Sequence, residues 1–194
     1  MIAIIDYKAG NTNSVQNALG RLGAESIVTA DAELIRTADK VIFPGVGHAH
    51  AAMQYLREQE LDNLIVSLQQ PVLGICLGLQ LLCRHSEEGD TQCLSVFDVD
   101  IKRFQPGELK VPHVGWNNLA QESGILFEGI EEGAYLYYVH GFYAEISGST
   151  TAVTNYILPF SAALQQNNFY AVQFHLEKSG RAGEQILNNF LNIP

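Results

Sequence analysis

Pro71-Val72-Leu73-Gly74-Ile75-Cys76-Leu77-Gly78-Leu79-Gln80 is the stretch whose reading decides the fold. Val72 to Ile75 is a short apolar run of strand length, and Leu77 to Arg84 continues as a helix. Between them stands a cysteine in the pattern G-x-C-x-G. Small residues two before and two after it permit a sharp strand-to-helix turn. Such a turn lifts the intervening side chain above the sheet edge. Cys76 then occupies a helix N-terminus, where unpaired N–H groups and the helix dipole favour a thiolate. The N–H of Leu77 faces the place where an oxyanion would form. The competing reading of Cys76 is a buried structural thiol, since free cysteine packs as a small hydrophobe.

Working outward, the first half alternates strands and helices. Strands are expected at Ile2 to Ile5, Ile27 to Thr29 and Val41 to Phe43. Ser14 to Leu22 carries apolar residues at helical spacing (Val15, Ala18, Leu19, Leu22), and two further helical stretches lie between Ala49 and Leu68. This alternation indicates parallel βαβ units. The second half reads as strands. Leu94 to Phe104 alternates as a half-exposed strand should, and similar runs cover Ala134 to Val139, Thr151 to Tyr156, Ser161 to Gln165 and Phe169 to Phe174. A helix over Ala182 to Leu191 closes the chain. Nothing between the halves resembles a linker. The expectation is one α/β domain over residues 1–194, with a mixed, mostly parallel central sheet flanked by helices and a nucleophile elbow.

A cysteine nucleophile needs a proton shuttle for its leaving group. Of the six histidines, His175 is best placed. It ends the strand-like run Tyr170 to Phe174 and so emerges at a sheet edge. Glu177 follows two residues later, within reach of the second imidazole N–H. Together they make Cys-His-Glu, a variant of the triad arrangement. His113 and His140 sit beside strand-like runs, where they would line the site or meet a partner. His48, His50 and His85 read as surface residues. Cys83 reads as an inert core thiol, and Cys93 has no helper pattern. No histidine pair has zinc-ligand spacing, so neither a metal nor another cofactor is expected.

Bulk properties narrow the class. With 194 residues, 47% of them hydrophobic, the chain can bury one sizeable core. No apolar run reaches the ~20 residues needed to cross a bilayer. The N-terminal run reads as a first strand reaching Asp6 rather than a signal peptide. Three cysteines at no metal-ligand spacing suit a reducing cytoplasm. The formal charge of -10 makes nucleic acid a poor partner. The acidity reads as a solvated surface or as a docking face for a basic protein.

These residues resemble those of the class I, triad-type glutamine amidotransferases, and among them the glutaminase subunits of imidazole glycerol phosphate synthases. The likeness runs over essentially the whole chain. It is carried by Asp6-Tyr7-Lys8-Ala9-Gly10-Asn11, Pro44-Gly45-Val46-Gly47, the elbow Gly74 to Gln80, Val111-Pro112-His113-Val114-Gly115-Trp116-Asn117, Tyr138-Val139-His140, and Gln173-Phe174-His175-Leu176-Glu177-Lys178-Ser179. The elbow and the H-x-E piece are shared across triad amidotransferases. The first and fourth pieces are specific to this subunit type.

The resemblance implies that Cys76, His175 and Glu177 form a triad acting on glutamine. Gly45, Val46 and Gly47 match the oxyanion strand, with Leu77 as a second donor, and Gln80 matches a substrate-holding position. The glycines flanking Val46 would permit a peptide flip. The implied partner is a (β/α)8-barrel cyclase in a heterodimer. It uses ammonia to make imidazole glycerol phosphate and an aminoimidazole carboxamide ribonucleotide in histidine biosynthesis. Asn11, His113, Trp116, Asn117 and His140 are the candidate partner contacts. If docking triggers the Val46 flip, the lone chain is nearly inactive. Three positions depart from the usual pattern: Lys8 replaces glycine, Leu176 replaces proline, and Gly141 replaces threonine or a small hydroxyl residue. The alternatives are a glutaminase serving another synthase, for instance in surface-sugar biosynthesis, a non-catalytic binding subunit of the same fold, and a cysteine hydrolase of the same elbow fold.

Overall fold

A computed structural model describes residues 1–8 and 10–194. Ala9, within the Asp6 to Asn11 motif, lies outside the described residues. The first half runs β1 (Ile2–Ile5), α1 (Thr12–Arg21), β2 (Ser26–Thr29), α2 (Ala32–Thr37), β3 (Lys40–Gly45), α3 (Ala49–Glu58), α4 (Leu61–Ser67), β4 (Val72–Cys76) and α5 (Leu77–Leu82). The second half adds β5 (His85–Ser86), β6 (Thr91–Gln92), β7 (Asp100–Arg103), β8 (His113–Asn118), β9 (Gln121–Glu122), β10 (Tyr135–His140), β11 (Phe142–Ala144), β12 (Thr150–Asn155), β13 (Pro159–Gln166), β14 (Phe169–Val172) and α6 (Gly180–Leu191).

The main sheet runs in the order β2-β1-β3-β4-β14-β13-β11-β7-β5-β6, with β12 and β9 attached beyond β13. It is parallel from β2 to β14, the half that carries the site, and antiparallel at β14–β13, β13–β11 and β11–β7. The class expected from sequence is therefore the class observed: α/β with a mixed sheet between helices. Its central strands β1, β3, β4 and β14 are almost wholly buried, as continuous apolar strands covered on both faces should be. One face packs Ile5, Phe43 and Val72 against Leu56 of α3, Leu64 of α4 and Leu79 of α5. The other packs Ile4, Ile42 and Leu73 against Val15 and Leu19 of α1 and Ile186 and Phe190 of α6. Each fully buried side chain of this size contributes about 1.5–3 kcal/mol.

Several local outcomes differ from the sequence reading, among them the unexpected strands β8 and β11. Asp31 caps the unexpected helix α2, its carboxylate accepting from the N–H groups of Glu33 and Leu34. Only Asp100–Arg103 of the alternating run Leu94 to Phe104 becomes strand. The N–H groups of Leu94, Ser95 and Val96 instead bond the carbonyls of Leu81, Cys83 and Leu82 at 2.8–2.9 Å. The end of α5 leaves carbonyls without intrahelical partners, and this segment satisfies them. Phe97 and Val99 are buried all the same, so the alternation sets burial without making a ladder.

Gly78 shows how tightly α5 is held to the sheet. A Cβ there would lie 1.8 Å from the carbonyl oxygen of Phe43 in β3. We expect Gly78→Ala to destabilise the chain by about 1–3 kcal/mol, or to prevent folding, because helix and strand backbones must separate. Urea unfolding followed by circular dichroism reads this directly.

Candidate active site

The elbow is a real backbone feature. Cys76 ends β4 and precedes α5 with φ 55° and ψ −107°, a conformation that side-chain-bearing residues seldom adopt. The contact of Gly78 with Phe43 lets α5 start directly over β3. In the β3–β4 ladder Gly45 pairs with Cys76. A Cβ at Gly45 would fall 1.9 Å from the Tyr7 hydroxyl, which donates to the Pro44 carbonyl at 2.6 Å. Tyr7 therefore pins the end of β3 where the chain turns into Val46 and Gly47.

β4 and β14 are parallel neighbours, and β14 leads through Gln173 and Phe174 to His175. The His175 backbone is fixed on both sides: its N–H donates to the Tyr137 carbonyl of β10 at 2.9 Å, and its carbonyl accepts from the Ser179 hydroxyl at 2.6 Å. Nδ1 of the imidazole lies 2.7 Å from Glu177 Oε1, so that nitrogen carries the proton. The ring shares its cavity with Cys76. Burial by itself would make His175 harder to protonate. The hydrogen bonds and charges of Cys76 and Glu177 outweigh it and raise the imidazole to about 10. Burial likewise acts to raise Glu177, but His175 and Asn11 hold its carboxyl below the ordinary value.

Cys76 and His175 open into one cavity of about 300 Å3, lined also by Val46, Gly47, Leu77 and Gln80. The residues expected to stabilise an oxyanion or hold substrate are thus gathered around the sulfur, with Gly45 directly behind. Among the described residues no group of three or more His, Cys, Asp or Glu side chains is arranged to hold a metal ion.

The model of the family described as glutamine amidotransferase class-I matches residues 3–193. A relative from Bacteroides thetaiotaomicron, imidazole glycerol phosphate synthase subunit HisH, is 56% identical over 194 residues and is covered, like this chain, to 99%. The protein of the same name from Escherichia coli (strain K12) is 47% identical over the same span, again 99% of each. The chain belongs to the class I glutamine amidotransferases. Solved structures show the same fold at low identity. One described as glutamine amidotransferase superposes with TM-score 0.75 at 18% identity, covering 98% of this chain and 97% of that one. PurLQS from Thermotoga maritima gives 0.71 at 17%, with the same coverage.

Within this amidotransferase fold, the residues expected to meet a partner divide. Trp116 is 55% exposed and stands with Val114, Tyr135 and Val139 on the outer face of the β8–β10 pair. Strand alternation turns His113 and His140 to the inner face, where both are buried. His113 stacks between Tyr138 and Tyr156, with ring centroids 4.8 and 3.9 Å away, while His140 lines the cavity. These two histidines have no surface to offer a partner. Asn117 is half-buried and donates to the Asn155 carbonyl at 3.0 Å. Asn11 also faces inward. It precedes α1 at φ 73° without capping it, and its amide donates instead to Glu177 Oε1. Lys8, where glycine is usual, sits at φ 61°, and its ammonium lies 5.2 Å from the Tyr55 ring centroid.

Glu88 was not expected at the site. It lines the cavity, and its carboxylate accepts from the Ala49 N–H at 2.6 Å. Lys178 lines the cavity as well, although its H-x-E-K position was a usable signal.

The carboxylate of Glu177 should carry much of the His175 shift. In Glu177→Gln, the imidazole titration followed by NMR should move to lower pH by at least about one unit, since a neutral amide accepts a hydrogen bond but no longer attracts the proton.

Proposed function

We propose that this chain is the glutaminase subunit of an imidazole glycerol phosphate synthase, hydrolysing glutamine to glutamate and ammonia for use in histidine biosynthesis. The observation that carries the reading is the strained Cys76 elbow sharing one cavity with the His175–Glu177 pair. The relatives at 47–56% identity over the full chain support the pathway.

In this reaction Cys76 thiolate attacks the side-chain amide carbon of glutamine. The oxyanion is met by the Leu77 N–H and by backbone N–H groups of the Gly45 to Gly47 segment. His175, protonated by virtue of its raised pKa, gives its proton to the departing nitrogen, and ammonia leaves. A γ-glutamyl thioester remains on Cys76. His175, now neutral, takes a proton from water, the hydroxide oxygen attacks the thioester, and glutamate and thiolate are released. Glu177 keeps Nδ1 protonated so that Nε2 faces the reaction, and Asn11 keeps Glu177 in place. Gln80 contacts the substrate, and the Glu88 carboxylate is the natural counter-charge for its α-ammonium.

Ammonia is useful only if it reaches an acceptor before bulk water protonates it. The partner is a (β/α)8-barrel cyclase, paired one to one with this chain. The exposed apolar face of Val114, Trp116, Tyr135 and Val139 supports its docking site, since patches of this kind mark interfaces. Val139 also borders the cavity, so a partner bound there lies next to the chemistry. No described helix is long and apolar enough to cross a membrane. With its three cysteines unpaired, we assign the reaction to the cytoplasm.

Glutamate release is measured with and without the cyclase and its nucleotide substrate. We expect strong stimulation by the partner and loss of at least about a thousandfold in Cys76→Ala. Unchanged release in that variant would sink the assignment, and stimulation only by another synthase would redirect the pathway. Glu88→Gln should raise KM for glutamine about tenfold or more with kcat little changed, because it removes a charge-assisted contact made equally in ground and transition states.

A further inference from the structure

Gln173 is fully buried between β14 and His175. Its Nε2 lies 3.7 Å from Cys76 Sγ, and its Oε1 lies 3.0 Å from Gln80 Nε2. Gln80 Nε2 is in turn 3.3 Å from the carbonyl oxygen of Phe142. A backbone carbonyl can only accept, so it requires the nitrogen of Gln80 to face it. The second hydrogen on that nitrogen points at Gln173, which must answer with its oxygen. The nitrogen of Gln173 is then left facing the sulfur. One backbone carbonyl thus fixes the direction of two side-chain amides.

The same carbonyl also orders the histidines behind the cavity. It accepts from Nδ1 of His140 at 2.7 Å, which leaves Nε2 of His140 bare to accept from Nδ1 of His113 at 3.0 Å. Burial lowers His113 to about 4 and, despite the hydrogen bond to Phe142, His140 to about 3. Both rings are neutral throughout the neutral range, so their tautomers and the direction of the chain do not change there.

We propose that Gln173 is a catalytic residue: its amide N–H donates to the Cys76 sulfur and stabilises the thiolate that attacks glutamine. The inference rests on Cys76 being the nucleophile. The opposing contact is the Val139 carbonyl, 3.9 Å from Sγ, which can accept from a thiol but repels a thiolate. Gln173 offsets it with a donor that, once the sulfur is ionised, makes a charge-assisted hydrogen bond. A buried amide with its oxygen engaged elsewhere has no alternative acceptor role, so the contact favours one protonation state of the sulfur.

The test is the pH profile of Cys76 alkylation by iodoacetamide in the full chain, read by mass spectrometry on the peptide containing Cys76. Gln173→Met keeps side-chain length and removes the donor. The profile should move up by about one pH unit, and the rate at neutral pH should fall about tenfold. Buried Cys83 and Cys93 should not change. With the cyclase bound, kcat should fall by a similar factor while KM for glutamine stays within about twofold. If circular dichroism shows that Gln173→Met is unfolded, Gln173→Asn, which withdraws the amide by one methylene, makes the same comparison. A folded variant with the parental alkylation profile overturns the proposal. The nucleophile itself is tested separately by Cys76→Ala, so the two failures are distinguishable.

Discussion

The backbone of α5 rests on the backbone of β3, with no side chain between them. Gly78 makes this possible, since any Cβ there would collide with the Phe43 carbonyl. The contact forces the chain from β4 to α5 in a single residue, and that residue is Cys76 at positive φ. Such a backbone costs on the order of 1–3 kcal/mol. Burial of Leu77, Leu79, Leu81 and Leu82 on the same short helix more than offsets it, at about 1.5–3 kcal/mol for each large apolar side chain. Strain at Cys76 is thus held by packing that lies immediately beside it. The same contact brings Gly45 opposite Cys76 and so delivers the Val46–Gly47 turn to the cavity.

The other side of the cavity depends on how β14 is seated. Its parallel pairing with β4 sets Gln173 next to the sulfur and carries His175 past the strand end. The hydrogen bonds from His175 to Tyr137 and from Ser179 to His175 then fix the H-x-E turn to β10. β10 in turn faces outward with Tyr135 and Val139 and inward with Tyr138 and His140. One strand therefore borders both the Cys76 cavity and the exposed apolar face. His140, which bonds the Phe142 carbonyl that also holds Gln80, is one residue from Val139 on that face.

Much of this was legible along the chain because it is local. Alternating strands and helices announced the α/β class. The G-x-C-x-G elbow is contained within five residues, and the H-x-E pair within three, so spacing alone could bring out both. Alternation misled only where a competing partner was nearby: the run from Leu94 was drawn onto the open carbonyls of α5 instead of into a ladder.

What sequence could not supply is the identity of partners that are distant along the chain. Asn11 and Glu177 are separated by 166 positions, and Gln80 and Gln173 by 93. Asparagine and glutamine carry no charge or periodicity that announces a role, and their hydrogen bonds exist only once β4, β14 and α1 are assembled. The same is true of His113 and His140, which looked available to a partner until strand direction turned them inward. By itself the sequence determined the fold class, the elbow and the candidate triad, because backbone sterics and short-range spacing dictate them. Only the tertiary structure decided which buried amides and carboxylates lie against those three residues, because a hydrogen bond is defined by the position of both its ends.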